Sequence, residues 1–253
     1  MVEAVMGNNS PVTASSTIDE YTLGRKLGEG KTSVVYEGIK RNEDTGANES
    51  FAIKVMRFEN ESERQRSLEW MRAELGPLTT LEPHKNIVRL NGICDSGERT
   101  KRDGTTQQVI YCVQEICTGG ELFNFVALGR FDDNMIRHMA RQLLNGVKHM
   151  YDRNFVHRDL KPENVVVSGD GNFTLKIIDF GFAKALEPGQ LTKTYYGSGS
   201  YMAPEIVAQE EYDAHKADMF SLGVFLFVLK LMDYPWTRSV RQKSRFAFFV
   251  QGF

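Results

Sequence analysis

Much of what can be said about the fold starts from one octapeptide, His157-Arg158-Asp159-Leu160-Lys161-Pro162-Glu163-Asn164. It brings an acid, a cation and an amide together on a loop that follows a helix pattern. This combination suits a site that handles a hydroxyl group, a phosphate and a metal ion. A charged surface turn would explain any one of these residues, but it explains the whole set poorly.

The segments that follow the octapeptide add a second acid and a further motif. Asp179-Phe180-Gly181 comes directly after the apolar run Leu175–Ile178. An aspartate at the end of a strand is well placed to bind a hard cation through oxygen. Ala203-Pro204-Glu205 follows a long loop and precedes an apolar helix pattern from about Asp218 to Leu231.

The segments before the octapeptide change character at Gly119-Gly120. Helix patterns follow those glycines, and strand patterns dominate before them. The predicted strands are Leu23–Leu27, Ser33–Ile39, Ser50–Phe58, Val88–Cys94 and Gln108–Glu115, with Asp95–Thr106 as a loop. The predicted helices are Glu61–Leu81, Glu121–Leu128 and Asn134–Asp152. A strand-rich first third and a helix-rich remainder predict an α+β protein of two lobes.

Two features of the strand-rich part fit phosphate chemistry. Gly28-Glu29-Gly30 lies between two strand patterns, and glycines allow backbone amides to approach a phosphate because no Cβ intervenes. Lys54 follows an apolar strand start and could reach a phosphate as a point charge. Such a lysine needs a carboxylate to hold it, for which Glu74 is the best candidate and Glu69 the runner-up.

Composition limits the classes of protein that remain. The chain has 253 residues, of which 41% are hydrophobic and 25% charged, as in an ordinary globular protein. A net charge of −2 does not indicate nucleic acid or an anionic membrane as a partner. Met1 to Thr17 lacks a signal-peptide pattern, and the apolar run Phe220–Met232 is too short to span a bilayer. We expect a cytoplasmic protein, with a nuclear location not excluded.

The motifs, taken in their order along the chain, resemble the eukaryotic protein kinase family of the serine/threonine type. The resemblance is strongest to the calmodulin-dependent and AMP-activated kinase-like group. It covers Tyr21 to about Trp236 and implies a bilobal fold, with an antiparallel β-sheet N-lobe carrying one helix and a mainly helical C-lobe. It predicts a flexible tail at 1–20, an N-lobe at 21–117, a C-lobe at 118–237 and a basic, then aromatic tail at 238–253.

The resemblance also implies roles for individual residues, with ATP and Mg²⁺ as cofactors. Asp159 would accept the proton of the substrate hydroxyl and Lys161 would steady the γ-phosphate. Lys54, held by Glu74, would contact the α- and β-phosphates, and Asn164 and Asp179 would bind magnesium. The residues that would surround ATP are Leu27, Gly28, Glu29, Gly30, Lys31, Ser33, Val35, Ala52, Lys54, Glu115, Cys117, Glu121 and Val166, with Gln114 as the gatekeeper.

Substrate class and control follow from the same resemblance. Lys161 is typical of serine/threonine kinases, and Ser198 occupies the position that faces the acceptor hydroxyl. Glu121 would favour a basic residue upstream of the acceptor in a protein substrate. Arg158 would pair with a phosphate on Thr194, added by an upstream activating kinase, and a solvated loop hydroxyl is the alternative interpretation of Thr194.

The chain departs from the family pattern near its end. Few residues follow Asp218, so the C-lobe is expected to be incomplete, with Phe225 and Leu229 short of cover. The first hypothesis is therefore an active serine/threonine kinase. The second is an ATP-binding, catalytically weak, truncated fragment that acts as an interaction module. A phosphotransferase for small molecules is disfavoured by Ala203-Pro204-Glu205 and its peptide-facing loop.

Overall fold

The computed structural model describes residues 15–30, 32–129 and 131–236. These residues belong to two compact units. The first contains the chain up to Ser67 together with Gly92–Val113, and the second contains Leu68–Asn91 together with the residues from Gln114 on. The predicted α+β class is confirmed, since the first unit is rich in strands and the second in helices.

The first unit is built on an antiparallel β-barrel. Its strands are β1 (Thr17–Ile18), β2 (Tyr21–Glu29), β3 (Ser33–Arg41), β4 (Asn48–Met56), β5 (Leu90–Thr100) and β6 (Thr106–Glu115). They are hydrogen-bonded in the order β1-β2-β3-β4-β6-β5, and β1 closes the barrel by pairing with both β2 and β5. Successive side chains of a strand point to opposite faces, so Ile53 and Val55 of β4 belong to the core cluster of the barrel while Lys54 between them does not.

Helix α1 (Glu61–Thr80) begins directly after a side-chain cap. The Asn60 side chain accepts a hydrogen bond from the Glu63 N–H (2.9 Å), and the Glu63 carboxylate accepts one from the Glu59 N–H (2.9 Å). The helix continues through Gly76 and Pro77, as its apolar periodicity predicts. Its buried apolar face is formed by Leu68, Met71, Leu75, Pro77 and Leu78.

The second unit is mainly helical. Its further helices are α2 (Leu122–Leu128), α3 (Asp133–Tyr151), α4 (Pro204–Val207) and α5 (Ala214–Leu231). Short strands connect them: β7 (Gly120–Glu121), β8 (Phe155–Val156), β9 (Val165–Val167), β10 (Leu175–Ile177), β11 (Lys184–Ala185), β12 (Leu191–Thr192) and β13 (Tyr212–Asp213). The strands pair antiparallel in three small sheets, β10-β9-β7, β11-β8 and β12-β13.

Side-chain caps also explain where the two long helices of this unit begin. Asp132 accepts a hydrogen bond from the Met135 N–H at the start of α3 (2.7 Å). Asp213 accepts bonds from the backbone N–H groups of His215 (3.0 Å) and Lys216 (3.4 Å) at the start of α5. Helix α5 therefore begins four residues earlier than Asp218, where its apolar pattern starts.

Two local predictions are corrected by the structure. The predicted flexible tail at 1–20 is too long, because β1 is paired on both sides and Ile18 is fully buried. Residues 1–14 of that tail lie outside the described ranges, as does the predicted tail at 238–253. The predicted loop Asp95–Thr106 is wrong over most of its length, because β5 runs to Thr100 and β6 begins at Thr106.

The division by contacts also differs from the predicted lobe boundary. Residues 68–91, predicted in the N-lobe, belong to the second unit. The reason is a polar network in which the Asn86 side chain donates to Gln142 Oε1 (3.0 Å) and to the Leu175 carbonyl (2.9 Å). The rings of His84 and His149 also stack, with centroids 4.6 Å apart. Across the three described ranges, no helix is both long enough and apolar enough to cross a membrane.

Candidate active site

The octapeptide forms a loop whose backbone is held by one buried carboxylate. Asp218 of α5 accepts hydrogen bonds from the backbone N–H groups of His157 (2.6 Å) and Arg158 (2.8 Å). Arg158 has a φ of 67°, a left-handed conformation that costs a non-glycine residue about 1–2 kcal/mol. Burial raises the pKa of Asp218, against the opposing effects of His157 and of these hydrogen bonds. Asp218 therefore stabilises a strained turn immediately before Asp159.

Asp159 lies at the centre of a compact hydrogen-bond network. Its Oδ2 accepts bonds from Lys161 Nζ (2.7 Å) and Asn164 Nδ2 (2.9 Å), and its Oδ1 accepts one from Ser198 Oγ (2.9 Å). Lys161 Nζ also donates to Ser198 Oγ (2.6 Å). Asp159 is only 5% exposed, so these bonds hold its carboxylate in one orientation. The predicted base, the predicted γ-phosphate lysine and the predicted acceptor-facing serine are thus brought together.

The network keeps Asp159 ionised in spite of its burial. Burial is the largest single effect and raises the pKa of Asp159. The hydrogen bonds from Lys161 and Ser198, the positive charge of Lys161 and the hydrogen bond from Asn164 outweigh it, and the pKa falls below the ordinary value. A carboxylate of this kind is available as a proton acceptor at neutral pH.

His157 links the loop to the segment that carries Asp179. Its Nδ1 accepts a bond from the Asp159 N–H (3.3 Å), so Nε2 carries the hydrogen and donates to the Ile178 carbonyl (3.1 Å). The His157 ring also packs edge-on against the buried Phe180 ring, with centroids 5.1 Å apart.

Asn164 and Asp179 are the two residues predicted to bind magnesium. The Ile178 N–H donates to the Asn164 carbonyl (2.9 Å), which places the residue before Asp179 directly beside Asn164. Asp179 has a φ of 62°, and its Oδ1 accepts a bond from the Gly181 N–H (3.3 Å). No group of three or more His, Cys, Asp or Glu side chains able to hold a metal occurs in the part of the chain described. One carboxylate and one amide oxygen fit Mg²⁺, which takes few protein ligands and completes its shell with substrate phosphates and water.

Arg158 contacts Thr194, the residue whose phosphate the resemblance expects it to bind. One Nη of Arg158 donates to Thr194 Oγ1 (2.8 Å), and its Nε donates to the Phe182 carbonyl (2.5 Å). The Tyr212 hydroxyl donates to the Thr194 carbonyl (2.7 Å) and holds the same stretch from β13. A modification of the Thr194 hydroxyl would therefore take place directly against a guanidinium group.

In the first unit, the glycine-rich segment forms a hairpin between β2 and β3. Gly28 pairs with Val35, and the Gly30 N–H donates to the Ser33 carbonyl (2.9 Å). A Cβ on Gly28 would meet no atom within 4 Å, and neither Gly28 nor Gly30 has a positive φ. Neither backbone strain nor internal packing therefore requires glycine at position 28, and the open space suits a ligand that approaches the backbone.

Glu29 of this hairpin is held by two cations. Its carboxylate accepts hydrogen bonds from Lys26 (2.5 Å) and from Arg57. These bonds, with the two positive charges, lower the pKa of Glu29 to about 2. The hairpin tip is thereby tied to the residue that follows β4.

Three of the residues predicted to contact ATP share one face of the β3–β4 ladder. Val35 of β3 is the direct partner of Lys54 in β4, and Ala52 lies two residues from Lys54. Directly paired residues, and residues two apart in a strand, point to the same side of a sheet. This is the face opposite to the buried Ile53 and Val55, so all three stand outside the barrel interior.

The adenine residues predicted in the second unit lie around β9. Val166 pairs directly with Glu121 of β7 and, on its other side, with Lys176 of β10. Lys176 in turn forms an ion pair with Glu115 Oε1 (2.8 Å), which also accepts a hydrogen bond from the Arg89 N–H (2.6 Å).

Cys117, predicted beside adenine, is not a reactive thiol. Burial, with the charge of Glu115 as a second cause, raises the pKa of the Cys117 thiol to about 11. The thiol therefore stays protonated at neutral pH.

Burial distinguishes the two carboxylates that could hold Lys54. Glu74 is 4% exposed, whereas Glu69 is exposed. Because a buried carboxylate is stable only when it is paired, burial favours Glu74 as the carboxylate that would hold Lys54. The pairing itself stays a prediction. Lys31 lies outside the described residues.

Sequence reasoning missed several contacts of this site. No residue spacing indicates the Tyr212 bond to Thr194, the Arg57 bond to Glu29 or the position of Tyr196 over Arg158. Each of these contacts joins residues that are distant in sequence or that belong to a loop without periodicity. Only the tertiary structure could reveal them.

Comparison with known proteins identifies the family to which this chain is similar. The model of the protein kinase domain matches residues 21–251, beyond Trp236, where the resemblance read from the motifs ends. CBL-interacting protein kinase 19 of Oryza sativa subsp. japonica is 39% identical over 84% of this chain and 39% of its own length. A probable myosin light chain kinase of Dictyostelium discoideum is 32% identical over 88% of this chain and 59% of its own. Serine/threonine-protein kinase ATG1a of Arabidopsis thaliana is 33% identical over 84% of this chain and 31% of its own.

The chain thus spans between about a third and three fifths of the length of these curated relatives. Their names are consistent with the serine/threonine type and with the calmodulin-dependent and AMP-activated kinase-like group. On the match over 21–251, this chain belongs to the protein kinase family.

Proposed function

We propose that this chain is a serine/threonine kinase that transfers the γ-phosphate of Mg-ATP to a hydroxyl of a protein substrate, with Asp159 as the base. The observation that carries the proposal is the buried, ionised Asp159 carboxylate, held by Lys161, Asn164 and Ser198. Such an arrangement has little purpose in a structural turn, because it concentrates a negative charge and a cation at one buried point.

Asp159 would orient the acceptor hydroxyl and take its proton. Each carboxylate oxygen has two lone pairs, so the bonds from Lys161, Asn164 and Ser198 leave acceptor capacity for a substrate hydroxyl. As the oxygen–phosphorus bond to the acceptor forms, the bond between the γ-phosphorus and the β,γ-bridging oxygen breaks, and ADP leaves with the electron pair. The Asp159 proton is later lost to solvent. A positioned base of this kind contributes about 10²–10⁴ in rate.

Lys161 and the metal ligands would deal with the charge of the transferring group. Lys161, already 2.7 Å from Asp159, would contact the γ-phosphate. Asn164 and Asp179 would hold Mg²⁺, which when bound supplies charge neutralisation to the phosphate oxygens. Lys54, Val35 and Ala52, on their shared face, would contact the phosphates and the adenine.

Control by phosphorylation is part of the proposal. A phosphate on Thr194 would add a charge of about −1.5 to −2 directly against Arg158. An upstream activating kinase would supply that phosphate. The Thr194→Ala variant should lose the activation, and undiminished activity in that variant would argue for a simple loop hydroxyl.

Substrate preference is proposed to be mildly basophilic. Glu121 is exposed at the start of α2, where its carboxylate can meet a basic side chain of a bound peptide. A peptide array should show enrichment of Arg or Lys upstream of the acceptor. An array without this enrichment removes the preference but not the kinase activity.

The decisive test is phosphate transfer from ATP to a generic basic peptide, with wild type and Asp159→Asn compared side by side. We expect a loss of about 10²–10⁴ in kcat for Asp159→Asn. Asp152→Asn is the matched control, because the same chemical change occurs at an exposed carboxylate at the end of α3. Equal rates for wild type and Asp159→Asn would refute the assigned base.

A melting curve with and without Mg-ATP separates the two hypotheses. A ligand that binds only the folded state raises the melting temperature. Stabilisation by Mg-ATP without any phosphate transfer by the wild type would favour the ATP-binding, catalytically weak interaction module. Transfer that depends on Asp159 favours the active kinase.

A further inference from the structure

The Arg158 guanidinium is clamped by neutral groups rather than by an acid. It donates hydrogen bonds to the Phe182 carbonyl and the Thr194 hydroxyl, and its Cζ lies over the Tyr196 ring, 4.8 Å from the ring centroid. Burial lowers the pKa of Arg158, which marks a cation partly withdrawn from water. An aromatic face attracts such a cation through its quadrupole, most strongly where water is excluded.

The Tyr196 ring makes a second contact with the same segment. It stacks on Phe182, with centroids 5.2 Å apart and an angle of 28° between the ring planes. We refer to Phe182, Tyr196 and the Arg158 guanidinium as the aromatic stack. It joins the start of the loop after Asp179 to its far end, across thirteen intervening residues that lack a long helix or strand.

The aromatic stack is continuous with the contacts of the proposed base. Gly197, the next residue, has a φ of 118°, and a Cβ there would lie 2.9 Å from the Arg158 carbonyl. The residue after it, Ser198, donates to Asp159. Residues 196–198 therefore lie against Arg158 and Asp159 one after another, with the ring of Tyr196 on the guanidinium, Gly197 on the backbone and Ser198 on the carboxylate.

We propose that Tyr196 is a positioning residue, whose ring on Arg158 and Phe182 holds Ser198 against Asp159 when Thr194 carries no phosphate. The inference rests on the proposed kinase function and deepens it. Because the ring and the guanidinium belong to the chain itself, this contact needs no phosphate, and the unphosphorylated protein keeps a basal rate of phosphate transfer. Tyr195 is 54% exposed and Tyr196 is 41% exposed, so what distinguishes Tyr196 is the contact of its ring with Arg158 and Phe182 rather than its burial.

The test compares Tyr196→Ala, Tyr196→Leu and Tyr196→Phe in protein shown by mass spectrometry to lack phosphate on Thr194. The first variant removes the side chain, the second keeps apolar bulk without an aromatic face, and the third keeps the ring. Tyr195→Ala is the matched control. Initial rates of transfer to a basic peptide give kcat and KM, and deuterium exchange of the amides in residues 191–200 reports the segment itself.

We expect kcat to fall about five- to fiftyfold in Tyr196→Ala and Tyr196→Leu, with an unchanged KM for ATP and faster exchange over 191–200. Tyr196→Phe and Tyr195→Ala should match the wild type in both measurements. Tyr196→Leu at the wild-type rate would overturn the proposal, because bulk alone would then suffice. A loss in Tyr195→Ala equal to that in Tyr196→Ala would also overturn it.

The two readouts keep this inference distinct from the proposed function. If the wild type transfers no phosphate, the proposed function fails and the exchange experiment still decides the role of the ring. Faster exchange in the Ala and Leu variants alone then supports the hold on residues 191–200. Equal exchange in all variants overturns it.

Discussion

The catalytic loop, residues 157–164, and the activation segment, residues 182–202, meet at Asp159 but are held in different ways. The buried Asp218 binds the backbone of the catalytic loop, and within the loop the Asn164 side chain donates to the Asp159 carbonyl. In the activation segment, the pairing of β11 and β12 and the buried side chains of Leu186, Tyr201 and Met202 fix the flanks. Residues 194–198 between them are held by the aromatic stack and by hydroxyl bonds, with Tyr195 and Tyr196 more than 40% exposed.

This difference separates what is built into the fold from what can be changed. Losing a buried, hydrogen-bonded carboxylate leaves polar groups unpaired, so the catalytic loop is expected to keep its shape as long as the unit is folded. Exposed single contacts are each worth about 1 kcal/mol or less. Residues 194–198 of the activation segment can therefore detach while the second unit stays folded, which is what control by phosphorylation requires.

Removal of Asp218 should have the largest effect. Asp218→Ala leaves the N–H groups of His157 and Arg158 without their acceptor, and we expect unfolding free energy to fall by about 3–5 kcal/mol. Asp218→Asn keeps an acceptor oxygen and should lose less. Urea unfolding measures both. A stable Asp218→Ala protein would show that the catalytic loop is no better anchored than the activation segment.

Lys161→Met should reduce kcat by about 10²–10³, because a donor on the developing charge is lost. Removal of the lysine takes away two of the effects that lower the pKa of Asp159, its hydrogen bond and its charge, so this pKa should rise relative to the wild type. In the wild type, the pKa of Asp159 is lower in the folded protein than in the unfolded chain. The ionised Asp159 carboxylate therefore stabilises the fold above about pH 4, and this stabilisation is lost as the pH falls.

A pH–rate profile checks this prediction. The acid limb of kcat/KM should move to higher pH in Lys161→Met and stay in place in Lys148→Met, which removes an exposed lysine of α3. An acid limb that does not move would show that Lys161 does not tune Asp159.

Gly197→Ala tests the junction of the two regions. A Cβ at a φ of 118° and 2.9 Å from the Arg158 carbonyl introduces strain of about 1–3 kcal/mol. We expect residues 194–198 to detach, so that kcat falls about five- to 150-fold while the free energy of unfolding changes little. Gly199→Ala is the control, because its Cβ would meet no atom within 4 Å. A large loss of stability in Gly197→Ala would place the segment among the permanent parts of the fold.

The smallest effect is expected for Thr194→Val in unphosphorylated protein. It removes the hydroxyl bonds to Arg158 and Thr192, and we expect unfolding free energy to change by less than about 1 kcal/mol. Treatment with an upstream kinase should activate the wild type and not this variant. A basal rate that collapses in Thr194→Val would assign to the hydroxyl the hold that we assign to Tyr196.

The long helices and the strands were predictable because their signals are local. Helix α3 shows apolar residues at three- and four-residue steps, of which Met139, Leu143, Val147 and Met150 are buried. The predicted loop Asp95–Thr106 failed because Asp95, Ser96 and Gly97 resemble turn residues. Gly97 is there to admit the Tyr111 ring, since a Cβ would lie 2.4 Å from it. Strand pairing is non-local, so the strands that lie beside residues 95–100 in space, and not their local sequence, decide that these residues form a strand.

The amino-acid sequence by itself determined the family and the α+β class. It also predicted the base, its lysine and the two metal ligands, because each of these roles requires a particular residue type within a short motif. Tertiary structure alone decided that Asp218 supports the strained Arg158, that Ser198 reaches Asp159 and that Tyr196 covers a guanidinium. Those contacts depend on the positions of segments far apart in the chain, and short-range residue patterns carry no information about such distances.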